Sequence, residues 1–293
     1  MTTSKVDGEE VAEVRARSGS SPHVTVLKAK GSLFNDDFAA IWEYRELIFF
    51  MVWRDLTTRY KQTALGIGWA VLQPVVTLAI FSLIFGRVAK VQTGDIPYVV
   101  FALAGLVPWT YFSQAVSRTG QGLIKDSNLI SKVYFPRLII PLAGAITPLV
   151  DFLVAFALLV AMLVWFGIVP TTAIVALPLF ILMAFAATMG FGLWFAALNV
   201  RYRDVQHIIP FFVQIGLFLS PVAYPASLIP HEWQMLYALN PMVCVIQGFR
   251  WCLLGELAPT AEMIGMGLLT VLIFLPSGLL YFKTTERTFA DVI

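Results

Sequence analysis

The chain has 293 residues, of which 58% are hydrophobic and 13% charged, with a formal net charge of +2. A soluble domain carries about 25% charged residues, and a mean hydropathy of +0.79 is more than one aqueous core of this size can hide, so an ordinary soluble domain is excluded and lipid is the main solvent. Cys244 and Cys252 match no zinc or redox spacing, and on one helix they lie about 12 Å apart, too far for a disulfide.

Residues 1–33 are polar, with Ser18 to Ser21 and Gly31 as breakers. They read as an irregular cytoplasmic tail without a cleavable signal peptide, and His23 to Leu27 alternate weakly in the pattern of a short strand. A helix is expected from about Asp37 to Thr63, capped by Asn35 or Asp36, which makes 34–63 an element of its own. Phe38, Ile41, Trp42, Ile48, Phe49, Val52 and Leu56 recur at helical spacing. Glu43, Glu46, Arg54, Asp55, Arg59 and Lys61 interrupt them, so this helix cannot cross a bilayer. It reads as an amphipathic helix lying in the membrane interface; the alternative is a surface helix of a soluble tail, with Trp42, Phe49, Phe50 and Trp53 left in water.

Six runs free or nearly free of charge follow, at Leu65–Gly86, Ile96–Ser117, Leu138–Phe166, Thr171–Val200, Val205–Tyr224 and Ala261–Phe282. Each is near or above the roughly 20 residues a helix needs to cross hydrocarbon. Pro74, Pro148, Pro178 and Pro210 fall inside them, which membrane helices tolerate. Pro241 to Gly255 is apolar too, but short, and carries Arg250. With Ser227 to Asn240 it suggests a re-entrant hairpin over 227–255. The expected architecture is an all-α polytopic membrane protein: an N-terminal interface helix, a six-helix domain over 64–283 with a loop at 118–137 and a re-entrant segment before the last helix, then 284–293. Seventeen of the 20 Lys and Arg residues then fall on one side, which should be cytoplasmic together with both termini.

Enzyme motifs are lacking. There is no P-loop, no His-Glu-x-x-His and no Gly-x-Ser-x-Gly, and His23, His207 and His231 are scattered. No metal site is expected. Asp151 is the one acid deep in a span; it is either a functional group or a hydrogen-bonded packing residue. Aromatic residues make up 14% of the chain. Many belong to interfacial belts, but Trp69, Phe81, Phe85, Trp109, Tyr111, Phe112, Phe218, Phe249 and Trp251 lie within spans or the short segment. Aromatic faces stack on sugar rings with few fixed hydrogen bonds, which suits a path for a sliding polymer. Phe211 and Phe212 belong to the same set.

Several strings carry a resemblance: Tyr44-Arg45-Glu46-Leu47, Trp53-Arg54-Asp55, Arg59-Tyr60-Lys61-Gln62-Thr63, Leu65-Gly66 and Gln73-Pro74. Later come Gly105-Leu106-Val107-Pro108-Trp109, the run Asn128 to Arg137, Gly192-Leu193-Trp194, Ala197 to Val205, Ser220-Pro221-Val222, Leu239-Asn240-Pro241, Gly248-Phe249-Arg250 and Phe289-Ala290-Asp291-Val292-Ile293. In this order they resemble the permease subunits of type-2 ABC transporters that export O-antigen, teichoic acid and similar polysaccharides. The long N-terminal tail lies outside the resemblance.

The resemblance implies a homodimeric channel above two copies of a separate ABC ATPase in a bacterial inner membrane. It implies a cargo of polysaccharide on an undecaprenyl diphosphate-type lipid. ATP and Mg belong to the partner, and no cofactor is expected in this chain. It also implies that the loop holding Asn128, Leu129, Lys132, Tyr134, Phe135 and Pro136 couples to the ATPase, its apolar residues forming an exposed docking face. Arg54, Arg59 and Lys61, ahead of Leu65 and Gly66, are candidates for gripping the lipid diphosphate as it is admitted; anchoring to anionic lipids is the competing reading. The runner-up function is an integral-membrane enzyme acting on lipid-linked sugars, which would need an acid or His-Asp cluster on one face. A structural scaffold is the third.

Overall fold

The structure is a computed structural model and describes residues 41–61, 66, 68–130, 132–133 and 135–286. The strand at His23 to Leu27, the caps at Asn35 and Asp36, and Phe289 to Ile293 lie outside the described residues. So do Leu65 and Tyr134. Among the described residues all regular structure is helical.

The interface element is α1 (Arg45–Tyr60). Phe49, Phe50 and Trp53 on this helix, and Trp42 just before it, point away from the protein and are all at least 60% exposed. Only Met51 is buried, against a second helix layer described below. An aromatic face turned outward beside charges turned inward suits the membrane interface, where ring bodies meet acyl chains. The chain reverses at Gly66, whose φ of +51° lies in the left-handed region that glycine enters without strain.

Helix α2 (Gly68–Phe81) runs on through a π-helical stretch, Ser82–Val88. Helix α3 (Tyr98–Lys125) is the axis of the fold. It is enclosed over most of its length and packs on every other long helix except the last. A four-residue turn, α4 (Ser127–Ile130), leads to α5 (Ile139–Ile146) and α6 (Pro148–Trp165), which part at Thr147. Helix α7 (Leu177–Arg201) follows a 3-10 turn at Thr172–Ala176 and returns beside α3. Then come α8 (Val205–Phe218), the short α9 (His231–Ala238), α10 (Pro241–Leu254) and α11 (Ala261–Glu286).

Among the described residues five segments are long and apolar enough to cross a membrane: 68–88, 98–125, 139–165, 172–201 and 261–286. With no water in hydrocarbon, backbone groups must bond within helices, and these runs do so. The chain is a multi-pass membrane protein. The expected sixth span, Val205–Tyr224, does not form as one helix. Its helix stops at Phe218 after 14 residues, about 21 Å of rise against roughly 30 Å of hydrocarbon. Pro221 lacks an amide proton and disfavours helical geometry before it, and residues 219–224 turn instead. Over 227–255 there are two helices, α9 and α10, joined at Asn240, whose side chain caps Met242 N.

Helices meet where side chains are small. A Cβ added to Gly192 would stand 2.5 Å from Thr119 Cγ2 on α3, and one on Gly278 would stand 2.8 Å from the Gly190 carbonyl on α7. One apolar cluster centres on α3, α6, α7 and α10. A second, nearer the basic end, holds Met51, Phe135, Ile139, Leu193 and Phe282.

Candidate functional site

The basic end of the bundle carries a knot of ion pairs that fastens α1 to α3 and α6. Arg54 Nη2 lies 2.9 Å from Asp126 Oδ1 at the end of α3 and 3.0 Å from Asp55 Oδ1. Arg59 Nη1 and the Tyr60 hydroxyl both donate to Asp151 in the first turn of α6. Burial and the hydrogen bond to Asp151 push the Tyr60 phenol up to about 12, so it keeps its proton and donates at neutral pH. Arg59 also reaches Gln114 Oε1 at 3.5 Å. Arg118 approaches Asp55 Oδ2 at 3.7 Å, near the outer limit for an ion pair.

Two polar cavities flank this knot. One of about 250 Å³ is lined by Asp55, Arg118, Gln121, Lys125 and Asp126 among others. The other, about 410 Å³, is lined by Arg59, Gln73, Ser113, Gln114, Ser117 and Arg118, with Val213. Arg118 belongs to both. Of the expected head-group residues, Arg54 and Arg59 are therefore tied to carboxylates, Lys61 is exposed, and Gly66 forms the turn that follows. Asp151, whose role the sequence left open, is the partner of Arg59. Arg118 was missed as a site residue because it read as one cation of a loop, whereas it lies inside α3.

The expected loop over 118–137 starts only after Lys125, since 118–125 complete α3. Asn128, Lys132 and Val133 are exposed, Leu129 and Pro136 partly so. Phe135 is buried at 5% exposure in the second apolar cluster. It therefore holds the segment down and offers no docking face, which corrects the expectation for that residue. Arg137 donates to the Glu286 carbonyl, joining this segment to the end of α11.

The aromatic set divides into three places. Trp109 and Phe112, with Phe191, Phe211 and Phe212, line an apolar cavity of about 580 Å³ between α3, α7, α8 and α11. Trp69 and Phe218 are exposed on α2 and α8, and Phe81 and Phe85 form a tilted pair, ring centroids 5.4 Å apart. Tyr111 and Phe249 are interior: both pack on Phe152, and the Tyr111 hydroxyl donates to Ala145 O. Trp251 meets Phe180 edge-on. A ring enclosed on all sides presents no face to a passing polymer.

At the opposite end Arg250 is fully buried. Its Nη2 donates to Val222 O at 2.9 Å and its Nη1 to Tyr224 O at 3.4 Å, while the guanidinium carbon sits 3.5 Å from the Phe101 ring centroid. Tyr98 donates to Ala223 O, and Asn240 to Leu219 O and Ser220 Oγ. The 219–224 turn is thus clamped from α3, α9–α10 and α10 itself.

Comparison with known proteins fits this arrangement. Residues 46–254 match the family described as ABC-2 type transporter. The chain is 30% identical to the O-antigen export system permease protein RfbA of Myxococcus xanthus, over 86% of this chain and 97% of that one. It is 27% identical to the protein of the same name from Klebsiella pneumoniae, over 82% and 92% of the two chains. It is 25% identical to the polysialic acid transport protein KpsM of Escherichia coli, over 80% and 91%. With the family match covering most of the fold and these likenesses running nearly end to end, the chain belongs to the ABC-2 type transporter family.

Proposed function

We propose that this chain is the permease subunit of an ATP-driven exporter that moves polysaccharide, carried on an undecaprenyl diphosphate-type lipid, across a bacterial inner membrane. The observation that carries this reading is the interface helix. Its aromatic face is turned to lipid while its cations gather beside a polar notch at the same level. That geometry gives an anionic head group a place to dock while its lipid tail stays in the membrane. The relatives' named roles in O-antigen export and polysialic acid transport support the cargo class. The energy source is a separate ABC ATPase, which docks on the segment around Asn128, Leu129, Lys132, Val133 and Pro136.

In this reading the basic end is cytoplasmic, with both termini there. Helix α8 and the 219–224 turn make the sixth crossing, shortened on the outer side. Helices α9 and α10 dip into the outer half of the membrane and close the exit. Two copies build the channel, because a polymer-wide path needs more wall than one bundle supplies and a two-fold pair is the commonest closed assembly. The exposed rings on α2 and α8 give the wall its sugar-stacking surface.

A strain lacking this chain tests the reading. Lipid-linked glycan should build up inside, inaccessible to external lectin, and return to the surface on complementation. Undiminished surface glycan in the deletion strain would contradict it.

A further inference from the structure

The knot at Asp151 has the form of an anion site partly filled by the protein's own carboxylate. Among the described residues the 410 Å³ cavity is lined by two guanidinium groups, two carboxamides and two hydroxyls, and by no carboxylate. The Ser113 and Ser117 hydroxyls give their protons to the Thr110 and Ser113 carbonyls. The strong donors left on its wall are therefore Arg59, Arg118 and the amides of Gln73 and Gln114. Asp151 stands beside this set and takes one donor from Arg59 and one from Tyr60. Among the described residues the one ion-pair contact of Arg118 is the 3.7 Å approach to Asp55, and the charge of Asp151 acts on it from further off. Carboxylate and phosphate compete for the same guanidinium geometry, and a diphosphate brings more charge and more acceptors than a single carboxylate.

We propose that this notch binds the diphosphate of the lipid-linked substrate, with Arg59 and Arg118 each taking one phosphoryl group, and that Asp151 is a built-in competitor that holds Arg59 until the diphosphate displaces it. The inference rests on the reading that the cargo lipid is a diphosphate. Because the Asp151 contacts come from the last turn of α1, displacement also releases that end of the interface helix from α6, linking head-group arrival to a movable element. Two cations at two places further give preference for a diphosphate over a monophosphate.

The test is equilibrium binding of undecaprenyl diphosphate and undecaprenyl monophosphate to the full permease–ATPase complex in nanodiscs. Asp151→Asn should bind the diphosphate roughly three- to tenfold more tightly, because a competing, partly exposed ion pair is gone. Tyr60→Phe should shift binding the same way by less, and serves if the Asn variant fails to assemble. Arg118→Gln should lose most of the preference for diphosphate over monophosphate, while Arg118→Lys keeps part of it. A merely structural Asp151 would lower the melting temperature without tightening binding. Unchanged or weaker binding by Asp151→Asn and Tyr60→Phe, or an Arg118→Gln complex that still prefers the diphosphate, would overturn the proposal. If that happens while the parental complex still exports lipid-linked glycan in cells, the site falls and the function stands. If the parental complex binds neither lipid and exports nothing, both fall.

Discussion

Replacing Arg250 probes how the 219–224 turn, at the end opposite the interface helix, is held in place. The side chain is fully buried, and among the described residues no carboxylate lies within ion-pair distance. Among the described residues its Nε has no hydrogen-bond partner. The favourable side is the 2.9 Å bond to Val222 O, at about 1.5–3 kcal/mol for a charged donor, and the Phe101 contact, at about 2 kcal/mol when desolvated. The unfavourable side is a buried charge, which costs several kcal/mol unless paired. Arg250→Met separates the two, since it keeps much of the volume while removing charge and donors. If the clamp prevails, the Met variant leaves Val222 O unsatisfied and loses about 2–3 kcal/mol. That corresponds to about 4–12 °C in melting temperature for a domain of this size. Arg250→Lys should fall between, because one ammonium cannot span two carbonyls and lie flat on Phe101. Thermal melting of the purified complex in detergent reads this directly. A Met variant melting at or above the parental temperature would refute the clamp and leave Tyr98 and Asn240 to hold the turn.

The coupling segment gives a paired expectation: Phe135→Asp buries a charge and should abolish assembly, seen as loss of monodisperse protein, whereas Val133→Asp should fold normally but bring down less ATPase in pull-downs. Gly192→Leu should push α7 from Thr119 and destabilise by roughly 1–3 kcal/mol, measured as a lower melting temperature, with Gly265→Leu, which meets no neighbour within 4 Å, as the neutral control. Single cysteines placed along 241–255 in a background lacking Cys244 and Cys252 should label from outside at both ends of the segment; labelling of a Gly255→Cys variant from the cytoplasm would make α10 a true span.

What was legible in the sequence was local. Charge-free runs located α2, α3, the α5–α6 pair, α7 and α11, because lipid admits only uninterrupted apolar helix. The mixture of aromatic and charged residues before Thr63 marked a helix unfit to cross hydrocarbon, and Phe49, Phe50 and Trp53 of α1 are exposed. The site was less legible because its contacts are distant. Arg59 and Asp151 are 92 residues apart and Arg54 and Asp126 are 72 apart, and periodicity carries no information at that separation. So Arg54 and Arg59 read as free cations and Asp151 as unassigned. Phe135 failed for a different reason. An amphipathic cluster reads the same whether its apolar face meets a partner or the chain's own core, and here it meets the core. Helix α8 ended early at Phe218, ahead of Ser220-Pro221, a break that was in the sequence but inside an apolar run whose length alone suggested a span.

The central claim is that this chain, driven by a separate ATPase, carries a lipid-linked polysaccharide across a membrane. The permease and its ATPase reconstituted in proteoliposomes, with undecaprenyl-diphosphate-linked glycan on the ATPase side, measure that step alone. ATP should expose glycan to lectin on the opposite side, and a hydrolysis-deficient ATPase or omission of the permease should abolish the exposure. Glycan that stays on the loading side while ATP is hydrolysed, or that crosses equally without the permease, would contradict the account.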